Sequence, residues 1–259
     1  MIIGLIGNGA IAQHVQKYIA GSGHDLGAIL MREGRRNLYS NPRFVFSTND
    51  LPEDIDLMVD CAGHAALATY GLDILRGGTD LVTVSLGALA DQAVHDRLRD
   101  AAQRGRSRLH LASGAIGALD CLQAARTGRL DAVRYVGRKP PRGWVGSPAE
   151  DVLDLAALKE GAKVHFQGTA RDAAMSYPKN ANVAAAVALA GLGFDATQVT
   201  LIADADVSEN IHEVEATGDF GSFRFRISGK ALPDNPRSSA LAAMSVVSKI
   251  EHLSSPIRI

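Results

Sequence analysis

Short apolar runs alternate, over residues 1–112, with segments in which apolar residues recur every three or four positions. The runs predict strands and the periodic segments predict amphipathic helices. The predicted strands are residues 1–6, 25–31, 44–47, 56–61, 80–85 and 108–111, and the predicted helices are residues 10–19, 65–76 and 91–103. This alternation predicts an α/β fold with a doubly wound parallel sheet of Rossmann type.

The pattern changes in the second half of the chain. The predicted helices there are residues 116–126, 149–159 and 181–189, and the predicted strands are residues 133–137, 164–166, 198–203, 211–217 and 222–228. Glycines bracket a predicted hairpin turn at residues 218–221. The prolines at 140–141 lack backbone donors, so Arg138 and Lys139 are expected on a loop beyond the strand. We therefore predict a second α+β domain with a mixed or antiparallel sheet.

The turn after the first predicted strand carries the strongest chemical signal. Residues 7–12 read Gly-Asn-Gly-Ala-Ile-Ala, which fits the dinucleotide-binding pattern G-x-G-x-x-A. The first glycine permits the tight turn, the second lets the backbone approach a pyrophosphate, and Ala12 keeps the following helix close to the strand. A glycine turn in some other α/β protein is the alternative interpretation. The cofactor-binding residues predicted here are Gly7, Asn8, Gly9, Ala10 and Ile11.

The residues after the second predicted strand bear on the choice between NAD and NADP. A carboxylate commonly binds the adenosine ribose at this point, but this chain has Arg32, followed by Glu33, Arg35 and Arg36. Guanidinium groups match a 2′-phosphate in charge and geometry, whereas Glu33 keeps NAD possible. A solvated polar loop is the alternative. We predict NAD or NADP as the cofactor, with Arg32 in contact with it.

Another segment follows a strand end, where ligands bind in open α/β sheets. It reads Cys61, Ala62, Gly63 and His64, and its glycine would let the backbone pass beneath the ribose and nicotinamide. We predict that these four residues contact the cofactor, as does the similar stretch 85–88. His64 is expected at the start of a helix or the edge of the cofactor rather than as a catalyst.

Composition narrows the class of protein further. The 259 residues are 46% hydrophobic and 21% charged, with a net charge of −1, so neither a nucleic acid nor an acidic membrane is an expected partner. No apolar stretch is long enough to cross a bilayer, and the N-terminal strand does not fit a signal peptide. Cys61 and Cys121 lack metal-ligand spacing and are expected to be reduced and buried. These features predict a soluble, cytoplasmic protein without a bound metal.

Five segments of the second half carry a resemblance to a known family. They are residues 113–117, 138–141, 178–185, 210–214 and 235–239. Together with the glycine turn, they make the chain resemble the L-aspartate dehydrogenase family over nearly its full length, most specifically around Asn182 and His212. The resemblance implies NAD(P)-dependent oxidation of L-aspartate to iminoaspartate, which yields oxaloacetate and ammonia or feeds NAD biosynthesis, and the reverse reductive amination.

The same resemblance implies an architecture and roles for individual residues. It implies a two-domain homodimer similar to dihydrodipicolinate reductase and homoserine dehydrogenase. His212 would be the active-site histidine, and Ala115 and Asn182 would contact the cofactor. We thus expect a dinucleotide-binding domain at residues 1–112 and a substrate, catalytic and dimerisation domain at 113–236. A C-terminal helix within residues 237–259 is expected to pack back on the first domain.

The chemistry of His212 can also be considered from the residues alone. Hydride removal from an amino-acid carbon needs a neutral amine, and a histidine can take the ammonium proton or activate the water that hydrolyses the imine. On a strand, His212 shares its face with Asn210 and Val214. The Asn210 amide could orient the imidazole or hold a substrate carboxylate. A core histidine with satisfied hydrogen bonds is the alternative.

The two carboxylates of aspartate need cations or hydrogen-bond donors. Lys139 is the first candidate, with Arg138 or Lys179 next, and a surface charge is the alternative for each. Helix N-terminal amides near residues 113–114 or 235–239 could bind the other carboxylate. The hydroxyls of Ser238 and Ser239 are predicted to assist there.

Two other functions stay open at this point. One is an imine or enamine reductase of the dihydrodipicolinate reductase type, although the paired-histidine, glycine-threonine-rich segment usual in that group is not found. The other is a non-catalytic, dinucleotide-sensing protein. Such a protein would not need His212, a cationic segment and the asparagines together.

Overall fold

A computed structural model describes residues 1–41, 43–232 and 235–257. They form two compact units. The first contains Met1–Ala88, Gln92–Ala112 and the C-terminal residues from Ala242, and the second contains Leu89–Asp91 and Ser113–Leu241.

The first unit is built on a six-stranded parallel sheet. Its elements are β1 (Ile2–Ile6), α1 (Ala10–Ala20), β2 (Asp25–Leu30), β3 (Phe44–Val45), β4 (Leu57–Asp60), α2 (His64–Arg76), β5 (Asp80–Thr83), α3 (Gln92–Gly105) and β6 (Leu109–Leu111). The strand order is β3-β2-β1-β4-β5-β6, the order of doubly wound dinucleotide-binding sheets. The predicted Rossmann-type sheet is therefore confirmed, and its boundaries differ from the predicted ones only at the ends of elements.

The second unit carries a five-stranded mixed sheet and a two-stranded ribbon. Its elements, with the final helix, are α4 (Leu119–Ala125), β7 (Leu130–Lys139), β8 (Ala162–Thr169), α5 (Ala170–Ser176), α6 (Asn182–Ala190), β9 (Gln198–Asp204), β10 (Asn210–Gly218), β11 (Gly221–Gly229), β12 (Ala231–Leu232), β13 (Asn235–Ser239) and α7 (Ala240–Ser254). The order is β11-β10-β7-β9-β8, antiparallel except between β7 and β9. The predicted mixed sheet and the hairpin at residues 218–221 are both confirmed.

The core of the first unit lies between its sheet and the helices packed on it. Val15 and Ile19 of α1 recur at helical spacing and pack on Ile3 and Leu5 of β1, all buried. Val246 and Ile250 of α7 join the same cluster, each fully buried, together with Ala112. The helix α7 begins at Ala240, because residues 235–239 pair as a strand with Ala231–Leu232, and it lies within the predicted range 237–259. Residues 258–259 of that prediction lie outside the described residues.

The strand β7 is longer than predicted, and this changes the setting of Lys139. Arg138 pairs with Ile211 of β10, and Lys139 pairs with Ala203 of β9, so both lie in the sheet rather than on a loop. The prolines still end the strand, but only at Pro140, after the last ladder contacts have formed.

Two predicted helices are wrong in whole or in part. Residues 149–159 form a short 3₁₀ turn at Pro148–Asp151 and then irregular backbone, because the Asp154 carboxylate accepts a hydrogen bond from the Ala157 N–H, 2.9 Å away. The helix predicted at 116–126 begins at Leu119, since Ala118 adopts a left-handed backbone with φ of 59°.

The helix α5 was missed, although the sequence contains its start signal. Thr169 and Asp172 form a reciprocal capping box, in which the Thr169 side chain accepts from the Asp172 N–H and the Asp172 carboxylate accepts from the Thr169 N–H. The spacing Thr-x-x-Asp is a recognised helix start.

The prediction that both cysteines are buried is also wrong. Cys61 is half-buried and Cys121 is exposed, because it lies on the outer side of the short helix α4, and both thiols are free. Among the described helices, none is both long and apolar enough to cross a membrane.

Candidate active site

The glycine turn between β1 and α1 has the geometry that a bound pyrophosphate requires. Gly7 has φ of +86°, and a Cβ there would lie 2.8 Å from the Cβ of Ala62, so a side chain is excluded on both counts. A Cβ on Gly9 would meet nothing within 4 Å, which leaves open space in front of α1. Gly9 supplies no side-chain cap to α1, whose first turn begins at Ala10 and Ile11. Backbone N–H groups at such a helix start suit a phosphate.

The helix α1 holds Asn8 in place and packs closely on the sheet at Ala12. The Asn8 side-chain oxygen accepts a hydrogen bond of 2.9 Å from Gln16, two turns along α1. Ala12 is fully buried in the core, as a small residue that lets α1 approach the sheet. The predicted residues of the glycine turn therefore lie together, in a cradle that fits a dinucleotide.

A buried carboxylate that sequence reasoning missed holds the neighbouring strand end. Asp60 closes β4 and accepts hydrogen bonds from the hydroxyls of Thr83 (2.8 Å) and Ser85 (2.6 Å) and from the N–H of Ala62 (2.9 Å). Burial raises the pKa of Asp60, and these hydrogen bonds oppose that rise. An acidic residue that closes an apolar strand, with hydroxyl residues closing the next, is the signal that could have identified it.

The segment that Asp60 anchors contains the second set of predicted cofactor residues. Cys61 donates its N–H to the Ile6 carbonyl, Ala62 is exposed, and Gly63 has φ of +93°. The helix α2 begins at His64, as predicted. The positive φ explains why glycine precedes the helix.

The arginine segment after β2 forms a 3₁₀ helix, Glu33–Leu38. Arg36 binds the Glu33 carboxylate through two hydrogen bonds, 2.6 and 2.8 Å long, and its guanidinium lies 4.5 Å from the centre of the Phe46 ring. This pairing lowers the pKa of Glu33. Arg32 is exposed, and neither it nor Arg35 forms an ion pair within the described residues. The Glu33 carboxylate, which could accept hydrogen bonds from ribose hydroxyls, is thus already paired with Arg36. Arg32 and Arg35 form no such ion pair among the described residues.

In the second unit, His212 lies on β10 directly opposite Gly137 of β7 and is only 4% exposed. Its Nδ1 atom is 2.7 Å from the hydroxyl of Tyr135, which is 1% exposed. The partner of the imidazole in the described structure is therefore Tyr135, and not Asn210, which is half-buried at the start of β10. Burial, and then the charge of Lys139, lower the pKa of His212 to about 3, so the ring is neutral.

Lys139 is a buried cation with neutral partners. Its side chain is 9% exposed, its Nζ donates to the Asn180 amide oxygen at 2.7 Å, and it lies 4.8 Å from the centre of the Trp144 ring. No acidic side chain pairs with it in the part of the chain described. Burial lowers the pKa of Lys139 to about 8.

A third residue near Lys139, His165, was missed by sequence reasoning. It is the extra residue of a β-bulge between Val164 and Phe166, where β8 loses register with β9. Its Nδ1 lies 3.2 Å from the Tyr177 hydroxyl, and its ring packs edge-on against Trp144 at 4.3 Å. Burial, with the Lys139 charge, lowers the pKa of His165 to about 4. A bulge depends on pairing between strands, so no local pattern signals it.

The other candidate cations are placed differently. Arg138 forms an ion pair with the buried Asp204 carboxylate, and Lys179 is exposed. Neighbouring strand residues point to opposite faces, which separates Arg138 from Lys139. Among the described residues, Lys139 is the only predicted cation whose side chain lies beside the Asn180 amide.

The remaining predicted residues lie at several places in the second unit. Ala115 is buried, and Asn182 opens α6. Ser238 and Ser239 lie on β13, just before α7, and the Ser239 hydroxyl is 4.0 Å from where a Cβ of Gly229 would be. The prediction that helix N-terminal amides lie at residues 113–114 is wrong, because α4 starts only at Leu119. No group of three metal-ligating side chains is found in the described ranges.

The first unit has the strand order and the glycine cradle of a dinucleotide-binding domain, and the second unit holds the buried His212 and Lys139. These features place the protein in the class of pyridine-nucleotide-dependent dehydrogenases. Residues 4–112 match the family described as "Homoserine dehydrogenase, NAD binding domain", and residues 120–253 match "Aspartate dehydrogenase, C-terminal". The L-aspartate dehydrogenase of Ruegeria pomeroyi is 53% identical over 99% of this chain and 94% of its own length. The chain belongs to the aspartate dehydrogenase family.

Further comparisons agree with this placement. The L-aspartate dehydrogenase of Pseudomonas aeruginosa is 52% identical over 80% of this chain and 77% of its own length. The crystal structure of aspartate dehydrogenase from Thermotoga maritima matches with a TM-score of 0.78 and 28% identity, covering 100% of this chain and 99% of that one.

Proposed function

We propose that this protein catalyses the NAD(P)-dependent oxidative deamination of L-aspartate through iminoaspartate to oxaloacetate and ammonia, and the reverse reductive amination. The named relatives and the family support the substrate. The iminoaspartate could also leave unhydrolysed as a precursor for NAD biosynthesis. An imine reductase of another type and a dinucleotide sensor are not favoured, because the relatives named above are aspartate dehydrogenases.

The observation that carries the proposal is the buried Lys139 ammonium, which has no carboxylate partner in the described chain. Burial of an unpaired charge is costly, so an anionic ligand is its natural partner. A substrate carboxylate would supply that partner, with Asn180 holding the ammonium in place. Ser238, Ser239 and Asn210 are proposed for the second carboxylate.

His212 is proposed as the group that handles the proton. In oxidation, the substrate ammonium loses a proton, and the nitrogen lone pair forms the C=N bond as hydride leaves the α-carbon. Water then adds to that carbon, and ammonia departs. A bound nicotinamide ring would supply the hydride acceptor. A neutral imidazole can accept the ammonium proton or activate the water. A bound carboxylate would offset the Lys139 charge, the smaller of the two causes of the low pKa of His212, and so raise that pKa.

For the cofactor, we propose that the glycine turn holds the pyrophosphate and that the second strand end lies along the ribose and nicotinamide. The residues concerned are Gly7, Asn8, Gly9, Ala10, Ile11, Cys61, Ala62, Gly63 and His64. Ala115 and Asn182 are proposed as further contacts on the strength of the family resemblance. A cytoplasmic homodimer is likewise proposed from the resemblance.

The activity can be tested by following NADH or NADPH oxidation with oxaloacetate, in the presence and absence of ammonia. We expect oxidation to require ammonia, because the reducible species is the imine formed from both. Oxidation at the same rate without ammonia would instead indicate a 2-hydroxy acid dehydrogenase. No oxidation with either nucleotide would favour the binding-protein alternative.

The cofactor preference depends on Arg32 and can be tested separately. We expect wild-type protein to bind NADPH as well as NADH, and Arg32→Ala to weaken NADPH binding by roughly tenfold with little change for NADH, since one charged hydrogen bond to the 2′-phosphate is lost. Titration by nicotinamide fluorescence measures both, with Arg97→Ala, an exposed arginine of α3, as the control. Failure of the wild type to bind NADPH would remove the arginine argument.

A further inference from the structure

We propose that Tyr135 is a positioning residue for His212, whose hydroxyl fixes the ring and decides which imidazole nitrogen faces the substrate. The proposal rests on the proposed role of His212. Tyr135 does not need to touch the substrate, because it would act only through the imidazole.

The sheet register brings the two side chains together across a glycine. Val214 lies opposite Tyr135 and His212 lies opposite Gly137, so Tyr135 and His212 are diagonal neighbours on one face. A Cβ on Gly137 would lie 2.7 Å from the Tyr135 hydroxyl oxygen and 3.2 Å from Leu201. Only glycine leaves the passage through which that hydroxyl reaches Nδ1 of His212, 2.7 Å away.

The direction of this hydrogen bond follows from the chemistry of its partners. Burial raises the pKa of Tyr135, so its hydroxyl keeps its proton. That proton has no other acceptor in the described structure than Nδ1 of the neutral imidazole. Tyr135 therefore donates to Nδ1, and the remaining proton of the ring lies on Nε2. In the resting protein, Nε2–H is a hydrogen-bond donor.

The same hydroxyl can support the opposite state. If the ring proton moves from Nε2 to Nδ1, Nδ1–H donates to the tyrosine oxygen, since a hydroxyl can accept as well as donate. Nε2 is then free to take a proton, but the hydroxyl proton has given up its acceptor, so this tautomer is the less stable one. Both tautomers thus keep one hydrogen bond between Tyr135 and Nδ1 without movement of the ring, and the hydroxyl favours the Nε2–H form. A phenylalanine at this position would leave Nδ1 unpaired and the tautomer unspecified.

The experiment compares Tyr135→Phe and Gly137→Ala with wild type in two measurements. In ¹⁵N spectra of histidine-labelled protein, the His212 signal is assigned from its absence in His212→Ala. We expect wild type to show the Nε2–H tautomer and both variants to show a mixture. We expect turnover to fall roughly tenfold to a hundredfold in each, with NADH affinity within about twofold of wild type.

A double-mutant cycle separates positioning from a general loss of structure. In a His212→Ala background, Tyr135→Phe is expected to change turnover less than about twofold, because its partner is gone. Tyr18→Phe, in α1, is the matched control and should leave rate and tautomer unchanged. An unchanged His212 tautomer in Tyr135→Phe, or a full loss of rate that persists in the His212→Ala background, would overturn the proposal. Wild-type turnover in His212→Ala would exclude His212 from the chemistry, and with it a catalytic effect of Tyr135. The proposed function is tested separately: wild-type protein without ammonia-dependent NAD(P)H oxidation would overturn it, while the spectra still decide whether Tyr135 sets the tautomer of His212.

Discussion

Replacement of His212 by alanine is expected to lower turnover by about two to four orders of magnitude while NADH affinity stays nearly unchanged. The imidazole is buried beside Lys139, in the unit that does not contain the glycine cradle. Its loss would remove proton transfer without removing a cradle contact. Steady-state rates in both directions and NADH titration by fluorescence measure the two effects.

The control for this experiment is a histidine that no part of the proposal uses. His95 lies on α3, where it contacts the neighbouring Asp96, and His95→Ala is expected to keep the wild-type rate. A His212→Ala protein that also kept most of its rate would exclude His212 from the chemistry. Equal loss of NADH affinity and turnover would indicate a folding defect, which a thermal melt would reveal.

The second large effect is expected at Lys139. Lys139→Met keeps most of the apolar stem but removes the charge, so we expect kcat/KM for oxaloacetate and for L-aspartate to fall by about a hundredfold or more. Loss of a buried cation that pairs with a substrate anion has effects of this size. NADH affinity should be retained, and Lys163→Met, an exposed lysine on the edge strand β8, is the control.

The same residue gives the expected pH dependence. A lysine binds carboxylate only when protonated, and burial lowers the pKa of Lys139 to about 8. In wild type, kcat/KM for oxaloacetate should therefore be steady below that pH and fall as pH rises through it, because kcat/KM reports the free enzyme. Lys139→Met should lose this alkaline limb. A wild-type profile without the limb, or its persistence in the variant, would assign carboxylate binding to another group.

Local patterns were sufficient to predict the first unit. Each strand of its parallel sheet is a short apolar run, and the turn at Gly7 and Gly9 has few alternatives once a strand and a helix flank it. The segment 149–159 was mispredicted because its apolar spacing resembles a helix, while a hydrogen bond that the Asp154 carboxylate accepts from the Ala157 N–H favours a turn.

The candidate site was predictable residue by residue but not as an arrangement. His212 and Lys139 could be singled out from the sequence, yet their partners Tyr135 and Asn180 are 77 and 41 positions away along the chain. Those pairings depend on strand register and on the true end of β7, which no local window contains. The low pKa of His212 follows from burial and from Lys139, so it too required the fold.

The position of β7 at the centre of the five-stranded sheet has a consequence for motion. Tyr135, Gly137 and Lys139 lie on this strand, with β10 and His212 on one side and β9 on the other. Backbone amides of a central strand exchange with solvent chiefly when the whole unit unfolds, whereas loops open locally. These side chains are thus anchored to the most cooperative part of the unit. Adaptation to different substrates has to come from the segments around this sheet, because a shift of the sheet itself would break its ladder.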